Sequence, residues 1–241
     1  MINSLSVVLP VFNEERRLDK TFLHIENYLK KTKVKNLEFI FVNDGSVDKS
    51  RKLISNFLKK KFKRKIKKKL INIKKNVGKG AALKAGVQGA GFQWILTSDI
   101  DFSVPLFEIE RWQQKNFIKG HKFVYFGSRA HQESKVESKF YRKFIGEFLR
   151  IFISIFLGIN ISDTQCGFKL YNKPIAKKIF SKLKFFGYEH DIEIILLLKN
   201  EKIKVIELPV TWKHVSDSKV NIFIDSFTTF IKILLIKIKY N

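Results

Sequence analysis

The sequence has little cysteine and no long uncharged stretch. Cys166 is the only cysteine among 241 residues, which excludes an internal disulfide and a cysteine-based zinc site. No run of about 18 uncharged apolar residues occurs, so no membrane-spanning helix is predicted. The apolar stretch 4–10 is too short for the core of a secretory signal and runs directly into charged residues, so no signal peptide is expected.

Acidic residues are also scarce, since 22 Asp and Glu stand against 47 Lys and Arg, a formal net charge of +25. This excess predicts attraction to polyanions: nucleic acid, anionic lipid or nucleotide phosphates. The basic residues are unevenly spread, because eleven of them lie between 59 and 75, whereas the chain around Asp99 and Asp101 is acidic. We call residues 59–75 the Lys-rich segment. Its pattern fits either a solvated helix end and loop or a contact with an anionic surface.

The length and the 45% hydrophobic content allow one larger α/β domain with a full core. Apolar patterns typical of strands and of helices alternate along the first 130 residues. Strands are predicted at 6–9, 38–42, 70–73, 93–97 and 122–126, and helices at 14–31, around 53–58, at 80–87 and after Pro105. This alternation predicts a mostly parallel, Rossmann-like sheet with helices on both faces and right-handed crossovers.

Two segments of the second half are almost wholly apolar apart from one narrow polar stripe at helical spacing. They are 139–157 and 219–240. Amphipathic helices of this composition, with basic residues at their rims, fit the plane of a bilayer interface. The alternative is that both are core helices or part of a dimer interface.

Two carboxylates one residue apart follow the predicted strand 93–97. Asp99 and Asp101 therefore stand at the carboxyl end of a strand, where open α/β sheets bind ligands. Such hard oxygen ligands suit Mg²⁺ or Mn²⁺, which would in turn hold a diphosphate. The alternative is a helix cap followed by a turn.

Residues that could bind other parts of a nucleotide follow the other strands. Pro10, Phe12 and Glu14 follow the first strand and could hold a flat base and a ribose, although Glu14 equally suits a first helical turn. Asp44 ends the second strand, where it could accept hydrogen bonds from a nucleobase or ribose, or cap a helix. Lys79, flanked by glycines at a helix start, is an expected anion contact without the spacing of an NTPase P-loop. These loop tips are expected to converge on one crevice.

Together these segments resemble the GT-A family 2 inverting glycosyltransferases, in the dolichyl-phosphate β-glucosyltransferase and dolichol-phosphate mannosyltransferase branch. The match spans nearly the whole chain. The segments that carry it are Val7–Glu15, Asn43–Ser46, Asn76–Gly80, Asp99–Asp101, Gly127–His131, Asp163–Lys169, Tyr188–Glu193, Trp212–His214 and Ser218–Lys219. The Asp163–Lys169 block with Gly127–His131 is the most specific part, and it favours the glucosyl-type members.

The resemblance implies a single GT-A domain over 1–241, in which 1–130 bind the nucleotide sugar and 131–241 bind the acceptor. It implies transfer of a hexose to a polyprenyl or dolichyl monophosphate, with inversion to a β-linked product. Glucose from UDP-glucose is favoured, and mannose from GDP-mannose is the alternative. A Mg²⁺ or Mn²⁺ ion on Asp99 and Asp101 is also implied. The resemblance further implies that the protein acts at the cytoplasmic face of a membrane and has no nucleic-acid partner.

The resemblance also distributes roles over the site residues. The implied donor contacts are Pro10, Phe12, Glu14, Val42, Asp44, Lys79, Asp99, Ile100 and Asp101. The implied acceptor-phosphate contacts are Arg129, Lys169, Lys213 and Lys219. The implied catalytic residues are Asp101, Arg129, Asp163, Asp191 and Glu193, the last three as contacts to sugar hydroxyls that also steady oxocarbenium-like charge.

Two positions depart from the family pattern. Asn43 stands where a second Asp is usual, and Lys213 stands where mannosyl members carry an Arg, which loses a bidentate phosphate contact. Plain alternatives also exist for the assigned acids and for Lys169: a turn cap at Asp163, helix N-terminal acids at Asp191 and Glu193, and a solvated strand lysine.

Two other function classes stay open at this stage. A family 2 enzyme acting on a glycan hydroxyl would use Asp191 as its general base. A nucleic-acid binder would use the Lys-rich segment and would show a steep salt dependence, but it leaves the acidic loop tips unexplained.

Overall fold

The computed structural model describes residues 1–137, 158–187, 189–213 and 236. The predicted interface helices at 139–157 and 219–240, and with them Lys219, lie outside these residues apart from the single position 236. Within the described ranges, no helix has the length and apolar content needed to cross a membrane.

Nine strands and six helices make up the described part of the chain. The strands are β1 (Ser4–Val11), β2 (Asn36–Asp44), β3 (Lys67–Ile73), β4 (Trp94–Thr97), β5 (Val124–Ser128), β6 (Lys135–Glu137), β7 (Lys169–Asn172), β8 (Val205–Pro209) and β9 (Thr211–Lys213). The helices are α1 (Glu15–Lys31), α2 (Ser50–Lys59), α3 (Lys79–Gly89), α4 (Glu108–Gln114), α5 (Lys173–Lys182) and α6 (His190–Asn200). The predicted strands and helices of the first 130 residues are all present, most of them a few residues longer than predicted.

Seven strands form one twisted sheet in the order β3-β2-β1-β4-β7-β5-β8, and β6 pairs with β9 in a small separate sheet. Pairing is parallel throughout the large sheet except at β7, which runs antiparallel to both β4 and β5. The predicted mostly parallel sheet is therefore confirmed. Because β7 begins at the edge where its neighbours end, it delivers the preceding loop to the carboxyl ends of the other strands.

The sheet separates two apolar cores. On one face α1, α2 and α4 pack on Val7, Leu9 and Phe39, and on the other α3, α5 and α6 pack on Val8 and Ile40. This is why the central strands read as continuous apolar runs, as expected when both faces are covered.

Small residues in α3 allow close packing on the sheet. A side chain at Gly86 would collide with the methyl groups of Val8 and Val42. Val42, an expected donor contact, has its side chain in the core, and its contact with a donor stays a prediction.

Candidate active site

The loops after β1 and β2 are tied to each other at the carboxyl edge of the sheet. The Asn13 backbone N–H donates to Ser46 Oγ at 2.9 Å, and Asn13 Oδ1 accepts from the Val47 backbone N–H at 2.9 Å. The Glu14 backbone N–H donates to Ser50 Oγ at 2.8 Å. Because Asn13 has a φ of +52°, its side chain can make this local contact, as asparagine tolerates the left-handed region. These bonds hold the loop that carries Phe12 and Glu14.

Asp44 holds a third loop against this pair. Its carboxylate accepts from the backbone N–H groups of Val77 and Gly78 at 3.0 and 2.8 Å and from Asn76 Nδ2 at 3.1 Å. Asp44 is buried, so these bonds satisfy its charge. The structure thus gives Asp44 the task of positioning the start of α3, and its contact with a nucleotide stays a prediction.

Asn43 has a structural role of its own. Its amide nitrogen donates to Asn72 Oδ1 at 3.2 Å, and its oxygen accepts from the Ser46 backbone N–H at 3.2 Å. An amide can both donate and accept, whereas an ionised Asp accepts only. The departure from the family pattern at this position therefore matches the local hydrogen bonding.

Asp99 and Asp101 face the crevice from the turn after β4. Lys79 Nζ donates to Asp99 Oδ1 at 2.6 Å, and the Asp99 side chain is 37% exposed. Asp101 accepts from the Ser103 backbone N–H at 3.0 Å and lies 3.8 Å from the Arg17 guanidinium. The Ile100 carbonyl between them accepts from Thr21 Oγ1 at 2.6 Å, which fixes the turn.

The two carboxylates differ in their electrostatics. Burial raises the pKa of Asp101, and the neighbouring Asp99 charge raises that pKa further. Burial by itself would also raise the pKa of Asp99, but Lys79 outweighs burial and holds that pKa below its ordinary value. Two like charges on one turn repel each other, and a divalent cation between them would relieve that repulsion.

The chemistry of this pair fits Mg²⁺ or Mn²⁺. Such ions are often bound by one or two carboxylates, with substrate phosphates and water completing the shell. Among the described residues no group of three or more His, Cys, Asp or Glu side chains is arranged for a metal. Asp99 and Asp101 could supply the one or two carboxylates that such an ion takes beside a diphosphate.

The loop before β7 brings an ion pair to the same edge. Arg129, which follows β5, donates through Nε and Nη2 to the two oxygens of Asp163 at 2.7 and 2.8 Å, and its backbone N–H donates to Oδ2 at 2.8 Å. The Asp163 backbone N–H donates to Glu207 of β8 at 2.9 Å. The Arg129 guanidinium lies 5.9 Å from the centre of the Trp212 ring, and about a third of the Arg129 side chain is exposed.

Gly167 places this loop directly against Asp99. A Cβ atom added at Gly167 would lie 2.5 to 2.8 Å from the atoms of the Asp99 carboxyl group, so a larger residue there would displace that carboxylate. Sequence reasoning assigned Gly167 no role in the site. Its place within the Asp163–Lys169 block is the signal that could have found it.

Lys169, predicted to bind the acceptor phosphate, is fully buried. Its ammonium pairs with the Asp191 carboxylate, donates to the Thr164 carbonyl at 3.2 Å and lies 4.9 Å from the Phe126 ring centre. Burial alone would raise the pKa of Asp191, but His190 and Lys169 together hold that pKa below its ordinary value. The structure therefore makes Lys169 the counter-ion of Asp191, and contact with an acceptor stays a prediction.

Glu193 holds a neighbouring loop, and the Lys213 side chain faces Glu137. The Lys213 backbone N–H donates to the Ser103 carbonyl at 2.9 Å, two residues beyond Asp101. Glu193 is buried and accepts from the backbone N–H groups of Lys184 and Phe185 at 3.0 and 2.7 Å, which holds the loop before α6. Lys213, in β9, is largely exposed and lies 3.4 Å from Glu137. The structure brings together Lys79, Asp99, Asp101, Arg129 and Asp163, with Lys169 and Asp191 beneath them.

Comparison with known proteins identifies the family. The model of Glycosyl transferase family 2 matches residues 6–180. The chain belongs to glycosyl transferase family 2. This family 2 chain is 34% identical to the dolichyl-phosphate beta-glucosyltransferase ALG5A of Trichomonas vaginalis, over 96% of this chain and 73% of the relative. It is 29% identical to the dolichyl-phosphate beta-glucosyltransferase of Homo sapiens, over 98% of this chain and 75% of the relative.

Solved structures confirm the fold of this family 2 chain. The glucosyl-3-phosphoglycerate synthase of Mycobacterium tuberculosis in complex with Mn²⁺, UDP and glucosyl-3-phosphoglycerate superimposes with a TM-score of 0.66. The match covers 99% of this chain and 80% of the synthase at 14% identity. The predicted GT-A architecture is therefore confirmed, and at this identity the likeness concerns the fold alone.

Proposed function

We propose that the protein transfers glucose from UDP-glucose to a dolichyl or related polyprenyl monophosphate, with inversion to a β-linked product. Relatives named dolichyl-phosphate beta-glucosyltransferases align with nearly the whole chain and support this function. The observation that carries it is the loop 163–167, which binds the Arg129 guanidinium through Asp163 and packs against Asp99 through Gly167.

On the donor side the reaction needs the leaving diphosphate to be neutralised. A Mg²⁺ or Mn²⁺ ion bound with the donor would supply this charge stabilisation. Asp99 and Asp101 would hold that ion. Lys79 lies beside Asp99 and can turn from that carboxylate to a phosphate oxygen without leaving the crevice.

On the acceptor side the nucleophile is a phosphate oxygen, which is already anionic near neutral pH and so needs alignment more than deprotonation. Arg129 supplies the positive charge, and its pairing with Asp163 fixes the plane of the guanidinium. Aligned in this way, the phosphate oxygen attacks from the face opposite the leaving group, and the anomeric centre inverts.

The state of Asp191 favours a phosphate acceptor over a sugar hydroxyl. A general base works best with a pKa near the operating pH. Asp191 is instead buried, paired with Lys169 and held at a lowered pKa, which makes it a weak base. The hydroxyl-transferring alternative therefore lacks support at the residue that it requires.

The proposed acceptor also defines the division of the chain and its location. Residues 1–130 contribute the nucleotide-sugar side, and residues 131–241 contribute the acceptor side at a membrane surface, where the lipid tail stays in the bilayer. We propose that this surface is the cytoplasmic face of the membrane.

A transfer assay tests the function. The purified protein with Mg²⁺ or Mn²⁺ and labelled UDP-glucose should glucosylate a short polyprenyl phosphate, with the product identified by mass. Asp101→Asn should lower kcat/KM at least about 100-fold, because charge stabilisation of the leaving group is lost. The matched variant Asp19→Asn, at an exposed position on α1, should retain full activity. Unchanged activity in Asp101→Asn would contradict the proposed donor site.

A further inference from the structure

The loop from Asp163 to Gly167 contacts several charged groups of the crevice. Asp163 pairs with Arg129, the Thr164 carbonyl accepts from Lys169, and Gly167 packs against Asp99. Cys166 is buried, with its sulfur 3.3 Å from where a Cβ atom would stand at Gly127. Four of the five residues in this loop thus have an identified partner or packing contact.

The side chain of Gln165 is the exception. Its backbone N–H donates to Asp163 Oδ1 at 3.2 Å, which fixes the residue in the loop. Its side-chain nitrogen Nε2, however, is shielded from solvent and has no hydrogen-bond partner within the described part of the chain. A shielded amide N–H without an acceptor is unfavourable, so native proteins rarely leave one unless a ligand or water completes it.

A second unpaired polar atom lies at the end of β5, next to Arg129. Ser128 precedes Arg129 and is 1% exposed, and its hydroxyl has no hydrogen-bond partner in the described residues. The Arg129–Asp163 pair joins this strand end to the loop from Asp163 to Gly167. Two shielded polar atoms without partners among the described residues therefore belong to residues next to, or two positions from, the members of one ion pair.

The position of Gln165 along the loop indicates its ligand. Two residues before it, Asp163 holds the guanidinium assigned to the acceptor phosphate. Two residues after it, Gly167 touches Asp99, which is assigned to the donor diphosphate. In an inverting transfer the hexose lies between the leaving group and the nucleophile. We propose that Gln165 is a specificity-determining residue that hydrogen-bonds a hydroxyl of the donor hexose. This inference rests on the proposed function.

The test compares two ligands that differ by the hexose alone. Calorimetry with Mg²⁺ gives the affinities of wild-type protein for UDP-glucose and for UDP. Gln165→Met keeps the length of the side chain and removes both polar atoms, and Gln165→Ala removes the side chain beyond Cβ. Each variant should bind UDP-glucose about 3- to 10-fold more weakly than wild type, the loss expected for one neutral hydrogen bond. Affinity for UDP should stay within about 2-fold of wild type.

Gln88→Ala is the matched control, because Gln88 lies on α3 and donates to the Lys177 carbonyl at the protein surface. It should leave both affinities unchanged. An unchanged ratio of UDP-glucose to UDP affinity in both Gln165 variants would overturn the inference, and so would an equal loss for both ligands with a lowered Tm, which marks a structural residue. Failure of wild-type protein to bind UDP-glucose would instead overturn the proposed function.

Discussion

Charged side chains at the crevice are bound mainly to one another and to the backbone. Asp44 accepts three hydrogen bonds from a neighbouring loop, Lys169 is buried against Asp191, and Arg129 is bidentate to Asp163. Each pair fixes a side chain in one orientation before a substrate arrives. Preorganisation of this kind lowers the reorganisation needed during the reaction.

The Arg129–Asp163 pair makes stability depend on pH. Burial alone would raise the pKa of Asp163, but Arg129 outweighs it, so the folded-state pKa lies below the ordinary value. The ionised carboxylate therefore stabilises the fold above about pH 4, and this stabilisation is lost as the pH falls through the folded-state pKa. We expect Asp163→Asn to be about 1–3 kcal/mol less stable than wild type at pH 7, because the partly exposed guanidinium loses a charged partner.

Urea unfolding at pH 7 and at about pH 3 measures this difference, which should shrink at the lower pH. Asp19→Asn provides the comparison, since its exposed carboxylate has no ion pair in the described structure. A stability difference for Asp163→Asn that is the same at both pH values would contradict the role of its charge.

At the scale of elements, the start of α3 is fixed by the loop that precedes α6. The Gly80 backbone N–H donates to the Phe186 carbonyl at 2.9 Å, and Glu193 holds the same loop through its backbone. One backbone N–H at the start of α3 thus donates to a carbonyl of the protein and does not bind a donor phosphate. The predicted anion contact at this helix therefore depends on the Lys79 side chain.

Close packing at this junction requires glycine. A Cβ atom at Gly80 would lie 2.8 Å from His190 Cβ and 2.9 Å from Phe186 Cα. We expect Gly80→Ala to lower the free energy of unfolding by about 1–3 kcal/mol through overpacking, and to lower transfer activity because Lys79 is displaced. Gly91→Ala is the control, because its nearest contacts would be 3.6 Å or more. Equal urea midpoints for the two variants would contradict this packing.

At the scale of the whole molecule, the Lys-rich segment lies along one edge of the sheet and divides into two groups. Several of its basic residues hold the fold together: Arg64 donates to the carbonyls of Thr32 and Lys35, Lys60 pairs with Glu26, and Lys69 pairs with Glu38. Others are exposed without a described ion pair, namely Lys59, Lys61, Lys63, Lys65, Lys74 and Lys75. The segment contains no acid to neutralise them.

This exposed group is expected to contribute to membrane association. Each lysine near an anionic surface contributes about 1 kcal/mol, so replacing Lys61, Lys63 and Lys65 by Gln should weaken binding to phosphatidylserine-containing vesicles at least about 10-fold. Binding to neutral vesicles should not change, and raising the salt should reduce the difference. Vesicle sedimentation measures both.

The control removes the same charge from the opposite edge of the sheet, at the exposed residues Lys119, Lys122 and Lys204. This triple substitution should have a smaller effect. If the two triple variants lost binding equally, net charge and not the Lys-rich segment would account for the attraction.

Local patterns in the sequence predicted much of this protein. The strands of the first 130 residues follow from short apolar runs and the helices from a period of 3.6 residues, and neither signal needs knowledge of distant contacts. The alternation predicted the parallel sheet, and the order of motifs predicted the family, both confirmed. The Asp99–Asp101 pair could also be predicted from the sequence, because it directly follows a strand.

Only the tertiary structure decided what lies opposite that pair. The antiparallel β7 enters between β4 and β5, 72 residues from its partner in the Thr97–Lys169 pairing, and brings Asp163, Gln165 and Gly167 to the crevice. The same insertion buries Lys169 against Asp191, although the family resemblance implied a contact with the acceptor phosphate. Strand insertion and ion pairing join residues far apart in the chain, and no local period in the sequence records which distant segments will meet.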